Sequence, residues 1–435
     1  MPLSTAILNL VTDLCAHGML PVAFGIAAGG GTGLLTATSI IAVFGLISAY
    51  TLVSLGRAAQ LTGEYTFSGL WGTLISPGSA WVIEVAFAVM TFGCCIFYSA
   101  FIGDLFSSLA QASDIVPAFL KPRWAVLCAL GVFPLLPLCL LKNLSALQYT
   151  SMGGLASVLY SVGMVVKRSL DGTYAAGGEF YEGIDLKYRS PQADPWASVG
   201  LWRVGPGTVT LMNMACVAFM AHYNGVKYYE ELEHRTVRRY TKAIGGGVAA
   251  SMCVFVAMML FGFRTFGTAA QPLLLNNYHR SADPLVGVAR FATGCAIVCG
   301  YPIMFSALKT SSTNAVHEIL NKFGATRALG KRFLTDANLR TAWAVGLLAV
   351  IIAIACDKSE EDVADVVGLI GALLGSGANF IIPAVLNLQL FRRLGRKGGA
   401  FSETGLNRLL VVAGFVFMYI GTKSVLGDAS KHHHH

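Results

Sequence analysis

Asp13 and His17 stand four residues apart inside an apolar stretch, residues 4 to 28. On a continuous helix that spacing puts both side chains on one face, where a carboxylate and an imidazole can pair and titrate near neutral pH. An acid among apolar residues is costly unless it is used, so Asp13, flanked by Thr12, marks an ion- or proton-handling position with His17 as its partner. The competing reading is structural: Asp13 caps the end of a broken half-helix or holds a buried water. A second histidine, His222, lies in the run Phe219-Met220-Ala221-His222-Tyr223-Asn224-Gly225. There the readings are that it shapes a ligand pocket, that it relays a proton, or that it bonds a neighbouring carbonyl.

Other reactive chemistry is missing from the sequence. The ten cysteines are scattered singly or as Cys94-Cys95 in apolar runs, with neither a CxxC pair nor His/Cys ligand spacing, so they read as small buried residues. No nucleophile elbow, P-loop or HExxH motif occurs. The glycine-rich run Gly25 to Gly33 follows no strand, which removes a phosphate-binding reading. Neither an enzyme nor a bound metal or cofactor is expected.

The elements that must position these residues are membrane helices. The 435 residues are 55% hydrophobic and 12% charged, a balance that water would not keep in solution. Since a crossing takes roughly 20 apolar residues, the expected architecture is all-α and integral to the bilayer. Eleven apolar windows appear, at 4–28, 33–56, 80–110, 123–141, 147–167, 207–230, 241–266, 285–308, 340–356, 363–391 and 407–426. None alternates as a β-barrel strand would. The net charge of +8 comes from Lys and Arg in short loops, which argues for membrane topology and against nucleic acid. Arg235, Arg238, Arg239 and Lys242, the stretch Lys309 to Arg340, and Arg392, Arg393, Arg396 and Lys397 mark the cytoplasmic side. The amino terminus is then cytoplasmic and the carboxyl terminus extracellular or luminal. The acidic run Asp357 to Asp362 and the long loop 168–206 face outward, and the sequon Asn143-Leu144-Ser145 falls inside and is discounted. His432 to His435 read as a purification tag.

The first and sixth windows share a peculiarity. Both are interrupted, at Cys15-Ala16-His17-Gly18-Met19-Leu20-Pro21 and at Phe219 to Gly225, and each opens a block of five windows. Matching interruptions in two halves point to a midplane binding site in an inverted-repeat transporter. Glycine and proline are also simply common in membrane helices.

Several motifs carry a specific resemblance. Asn9 to Leu20 (NLVTDLCAHGML) opens the chain; Phe92-Gly93-Cys94-Cys95-Ile96-Phe97-Tyr98 and Ile102-Gly103-Asp104 follow in the third window. Then come Phe219-Met220-Ala221-His222, Tyr229-Glu230-Glu231-Leu232, Phe261 to Gly267 (FGFRTFG), Gly300-Tyr301-Pro302, and Gly368-Leu369-Ile370-Gly371-Ala372 with Pro383. In this order and over nearly the whole chain they resemble the amino acid/auxin permease family, nearest its neutral and vacuolar amino acid transporters. The resemblance implies a LeuT-like fold: two inverted five-helix repeats, 1–167 and 207–392, joined by the outer loop 168–206, with one extra helix in 393–427 and a linker with the tag in 428–435. It implies a monomer in the plasma membrane or a vacuolar or endolysosomal membrane. An amino acid would be held by Cys15, Ala16, His17, Gly18 and Met19 of the first break, Tyr98, and Phe219, Met220, Ala221 and His222 of the second. Such a break frees N–H groups for a carboxylate and carbonyls for an ammonium.

Ion coupling is assigned to Asp13, Thr12 and His17. Sodium-driven members carry Asn where this chain has Thr12, and a Thr near the proline where it has Val298 and Gly300, so a proton gradient or uncoupled exchange is favoured over sodium. Glu84, Arg57 and Glu230 are candidate gate residues, with Arg235 or Arg238 as further partners; solvated helix ends are the alternative. Lys227 supplies a fixed charge near the ion position or reaches toward the interface. An auxin-like or polyamine substrate, or a sensor that transports little, remain the other readings.

Overall fold

A computed structural model describes residues 1–140, 147–192, 194–279, 282–322, 336–357, 368–396, 398–399 and 402–432. Among them no strand occurs. Asn143 to Ser145, Lys358 to Asp362, Lys397 and His433 to His435 lie outside the described residues, as does the side chain of His17.

Among the described residues, eight helices are long and apolar enough to cross a bilayer: Leu34–Thr62 (α3), Ala80–Ala112 (α5), Arg123–Leu140 (α6), Val237–Phe266 (α10), Pro284–Lys322 (α11), Ala337–Asp357 (α12), Ile370–Arg393 (α13) and Glu403–His432 (α14). Between them lie α1 (Leu3–Gly18), α2 (Val22–Ala27), α4 (Phe67–Leu74), α7 (Leu147–Leu170), α8 (Pro206–Ala218) and α9 (His222–Glu230). The paired helices α5 and α11 run along each other, and α10 packs on α1 and α3. Lipid-facing surfaces are read from exposed apolar residues such as Leu409, Val412, Phe415 and Tyr419 on α14.

Both interruptions are present, and both are shorter than the sequence suggests. Cys15 to Gly18 remain helical, and the first break is Met19 to Pro21. Pro21 has no N–H to continue the ladder and disfavours helical geometry at Leu20, which fixes the break one turn later than the motif's start. The second break is Phe219 to Ala221, and His222 already begins α9. No proline acts here. Instead the Met220 amide turns to the Val217 carbonyl at 3.1 Å, so the Cys216 carbonyl loses its helical partner. Asn379 Nδ2 donates to that carbonyl at 2.8 Å, and Ser48 Oγ donates to the Phe219 carbonyl at 2.9 Å. Asn379 reaches it from a wide-turned stretch of α13, Gly377–Ile381, of the kind that re-aims a side chain. The second break is therefore held by its neighbours, because peptide groups freed in an apolar medium must find partners.

The stretches 171–192 and 194–205 are tied to the start of α3 and the end of α7. Carbonyls of Gly200, Leu201 and Arg203 accept from Leu34, Leu35 and Gly33 at 2.9–3.1 Å, satisfying the first turn of α3. Arg168 at the end of α7 donates to Asp283 at 2.7 Å and to Asp171 at 3.1 Å. Asp283 also accepts from Tyr174 at 3.1 Å and from the Leu285 amide at 3.0 Å, so one buried carboxylate ties loop, α7 and the start of α11.

Candidate functional site

The two breaks touch. A Cβ on Gly18 would lie 2.8 Å from the Ala218 Cα and 2.9 Å from its carbonyl oxygen, so the end of α1 crosses the end of α8 with only a hydrogen between the backbones. The same replacement would meet the Phe255 ring at 3.0 Å. Glycine is thus required by proximity, and the two sets of freed peptide groups share one region.

Around that crossing the side chains fall into a packed group and a polar group. Cys15 lies against Ser251 of α10, and Phe219 makes an edge contact with Phe255 at 5.0 Å. Ala16, Met19, Met220 and Ala221 are buried. The polar group centres on Asp13. Tyr223 donates to Asp13 Oδ1 at 2.5 Å and Tyr228 to Oδ2 at 2.9 Å, both from α9. Cys94 and Tyr98, one turn apart on α5, are close enough to feel the Asp13 charge. Tyr98 also faces Tyr301 at 6.2 Å between ring centres, and Tyr301 shares a hydrogen bond of 3.1 Å with Ser99. Among the described residues no lysine or arginine is paired with Asp13.

His222 sits elsewhere than in an open pocket. It is fully buried, its Nε2 lies 2.9 Å from Thr51 Oγ1 of α3, and Asn379 is beside it, so it faces the scaffold behind the break. Thr12 is buried against Gly154 of α7, where an added Cβ would meet its methyl at 2.7 Å. Lys227, on the same helix as Tyr223 and Tyr228, is half-buried and close enough to Lys309 to repel its charge.

The three gate candidates do not meet. Arg57 pairs with Glu403 at the start of α14 at 3.1 Å, a partner that the sequence does not suggest because it lies 346 positions away. Glu84 is buried and accepts from Asn314 of α11 at 3.3 Å. Glu230 is exposed, and Arg235 reaches its backbone carbonyl at 3.4 Å rather than its carboxylate. Sequence reasoning also passed over Tyr223 and Tyr228 as partners of Asp13. The available signal was a resumed helix carrying Tyr223, Asn224, Lys227 and Tyr228 where an apolar window was expected.

Two broken helices crossing at a glycine, packed among long apolar helices with a buried carboxylate beside the crossing, define a multi-pass membrane protein. The chain belongs to the transmembrane amino acid transporter family, whose model matches residues 3–426, a family of transporters rather than enzymes. It is similar to sodium-coupled neutral amino acid transporter 7 of Xenopus laevis, 25% identical over 69% of this chain and 63% of the relative. It is also similar to vacuolar amino acid transporter 7 of Saccharomyces cerevisiae, 23% identical over 71% of this chain and 58% of that one. The chain thus spans less than two thirds of the length of these two relatives. In fold it resembles the crystal structure of MhsT in complex with L-phenylalanine, with a TM-score of 0.56 at 13% identity, covering 97% of this chain and 96% of that one.

Proposed function

We propose that this protein carries neutral L-amino acids across a membrane by alternating access, with the zwitterion held where the two breaks cross and with movement coupled to a proton at Asp13. The observation that carries the reading is the juxtaposition of the Gly18–Ala218 crossing with the Asp13–Tyr223–Tyr228 cluster. Freed N–H groups at the start of α9 suit a carboxylate, and freed carbonyls at the end of α1 suit an ammonium. Small residues at Ala16 and Ala221 suit a substrate with a modest side chain. The eight long helices, α7 and the two broken helices make up the eleven crossings, and the 1–167 and 207–392 blocks form the inverted repeats. The cytoplasmic amino terminus rests on the positive loops.

Asp13 supports proton coupling because both its oxygens accept from tyrosine hydroxyls and, among the described residues, no lysine or arginine is paired with it. When α1 and α9 separate, the carboxylate loses both donors, and taking a proton is the cheapest replacement in an apolar medium. A sodium reading draws its support from the name of the Xenopus relative. Purified protein in liposomes, assayed for uptake of labelled neutral amino acids with imposed proton or sodium gradients, separates the two. Uptake accelerated by an inward proton gradient and made insensitive to pH by Asp13→Asn is the expected result. Acceleration by sodium alone, or an unchanged pH profile in Asp13→Asn, removes the proton assignment.

A further inference from the structure

The helix ends of α13 and α14 enclose a cavity of about 420 Å³ into which three arginines converge: Arg392, Arg396 and Arg408. Its geometry follows from the chain. The helix α13 closes with the Arg396 amide on the Phe391 carbonyl at 3.0 Å and the Gly395 amide on the Arg392 carbonyl at 3.2 Å, with Gly395 at φ 65°. That cap turns the chain back on itself and lays the Arg396 guanidinium 5.8 Å from the centre of the Phe391 ring. Arg408 enters from a different element, the second turn of α14. Thr404 and Gln389 add polar groups, and among the described residues no carboxylate lines the cavity.

Ordinary topology accounts for part of this. Basic residues at a helix carboxyl end complement its dipole, which explains Arg392 and Arg393. Neither rule brings Arg408 from the start of the next helix into the same cavity. Among the described residues none of the three has an acidic partner, and Glu403, just before Arg408 on α14, is engaged by Arg57. The surroundings are equally telling. Both helices reach the end of their apolar spans here, at headgroup depth. On the outer face of α14, Leu406, Leu409 and Val412 are 42%, 63% and 61% exposed, an apolar strip that begins beside Arg408.

We propose that this cavity binds the phosphate headgroup of an anionic membrane lipid, with the acyl chains lying along the exposed face of α14. Basic pockets between transmembrane helix ends are suited to such headgroups, and arginine forks match phosphate oxygens. The lipid would clip α14 to the end of α13 and so bear on the stability of that helix pair.

The test uses the full chain purified in detergent, incubated with phosphatidylglycerol or phosphatidylcholine and examined by native mass spectrometry. Wild type should retain phosphatidylglycerol over phosphatidylcholine, and R392Q/R396Q/R408Q should weaken that retention roughly tenfold or more. R235Q/R238Q/K242Q removes the same charge elsewhere and should retain the lipid as wild type does. Equal retention in the two triple variants overturns the proposal. So does displacement of the lipid by millimolar inorganic phosphate, which would make the cavity a free-phosphate site. If the first triple variant is not monodisperse, R408Q alone carries the comparison: reduced retention supports the site, and unchanged retention overturns it.

Discussion

The two ends of the broken-helix pair are fastened by opposite means. At one end α1 meets α9 through side chains, with Tyr223 and Tyr228 donating to Asp13. At the other, α2 meets α8 through backbone: a Cβ on Gly207 would lie 1.8 Å from the Ala28 carbonyl oxygen, and one on Gly29 2.5 Å from the Gly207 nitrogen. Thr32 and Thr208 share a hydrogen bond of 3.2 Å beside that contact. Nearby, the loop is anchored by the buried Arg168–Asp283 pair. A carboxylate can change its charge and release its donors; a close backbone contact cannot. The Asp13 end is therefore the one that chemistry can switch, and the Gly207 end is the one where packing sets the fit.

The strongest challenge to this contrast is Asp283→Ala. It leaves Arg168 buried with Asp171 as its remaining acidic partner, and losing one member of a buried pair costs about 4 kcal/mol. Thermal unfolding in detergent should fall accordingly. A loss under 1 kcal/mol would mean the loop is not anchored there.

Gly207→Ala should follow at about 3 kcal/mol, because backbone rather than a movable side chain blocks the new methyl. Its melting temperature should drop equally at all pH values. A pH-dependent drop would show that the Gly207 end is not a passive contact.

At the Asp13 end, Tyr228→Phe removes one charge-assisted hydrogen bond, on the order of 2 kcal/mol when Asp13 is ionised. Its uptake should depend on pH less steeply than wild type. Tyr229, which packs on the Tyr240 ring at 5.4 Å, supplies the contrast: Tyr229→Phe should leave the profile unchanged. Equal effects from both variants would erase the distinction between the Asp13-bonded tyrosine and its neighbour.

The smallest effect belongs to Asp171. Burial pushes its carboxyl up, but hydrogen bonds from Thr173, Lys167 and Arg168 outweigh that and hold it below the usual carboxylate range. Its contribution is present above the ordinary carboxylate pKa and fades as pH falls through the lowered one. Asp171→Asn should flatten the acid limb of a melting-temperature profile by less than about 1 kcal/mol and leave neutral pH little changed. A larger loss at neutral pH would point to a structural role beyond charge.

The sequence alone determined that this chain lives in a bilayer, that its first and sixth apolar windows are interrupted, and which family its motifs resemble. These are local properties: a window's hydropathy, a proline's missing N–H and a glycine's missing Cβ act wherever the chain goes. It also marked Asp13, since an acid in an apolar helix is conspicuous without any partner being known. It could not locate the second break within Phe219 to Gly225, where no proline acts. That break depends on Ser48 and Asn379, which arrive from 171 and 163 positions away to receive the freed carbonyls. The gate candidates fared similarly, for Arg57 found Glu403 and Glu84 found Asn314. His222 was drawn to Thr51, and Asp13 to two tyrosines on α9. Which polar group satisfies which is decided by helix packing, because in a medium without water each must take the partner that the fold brings within reach.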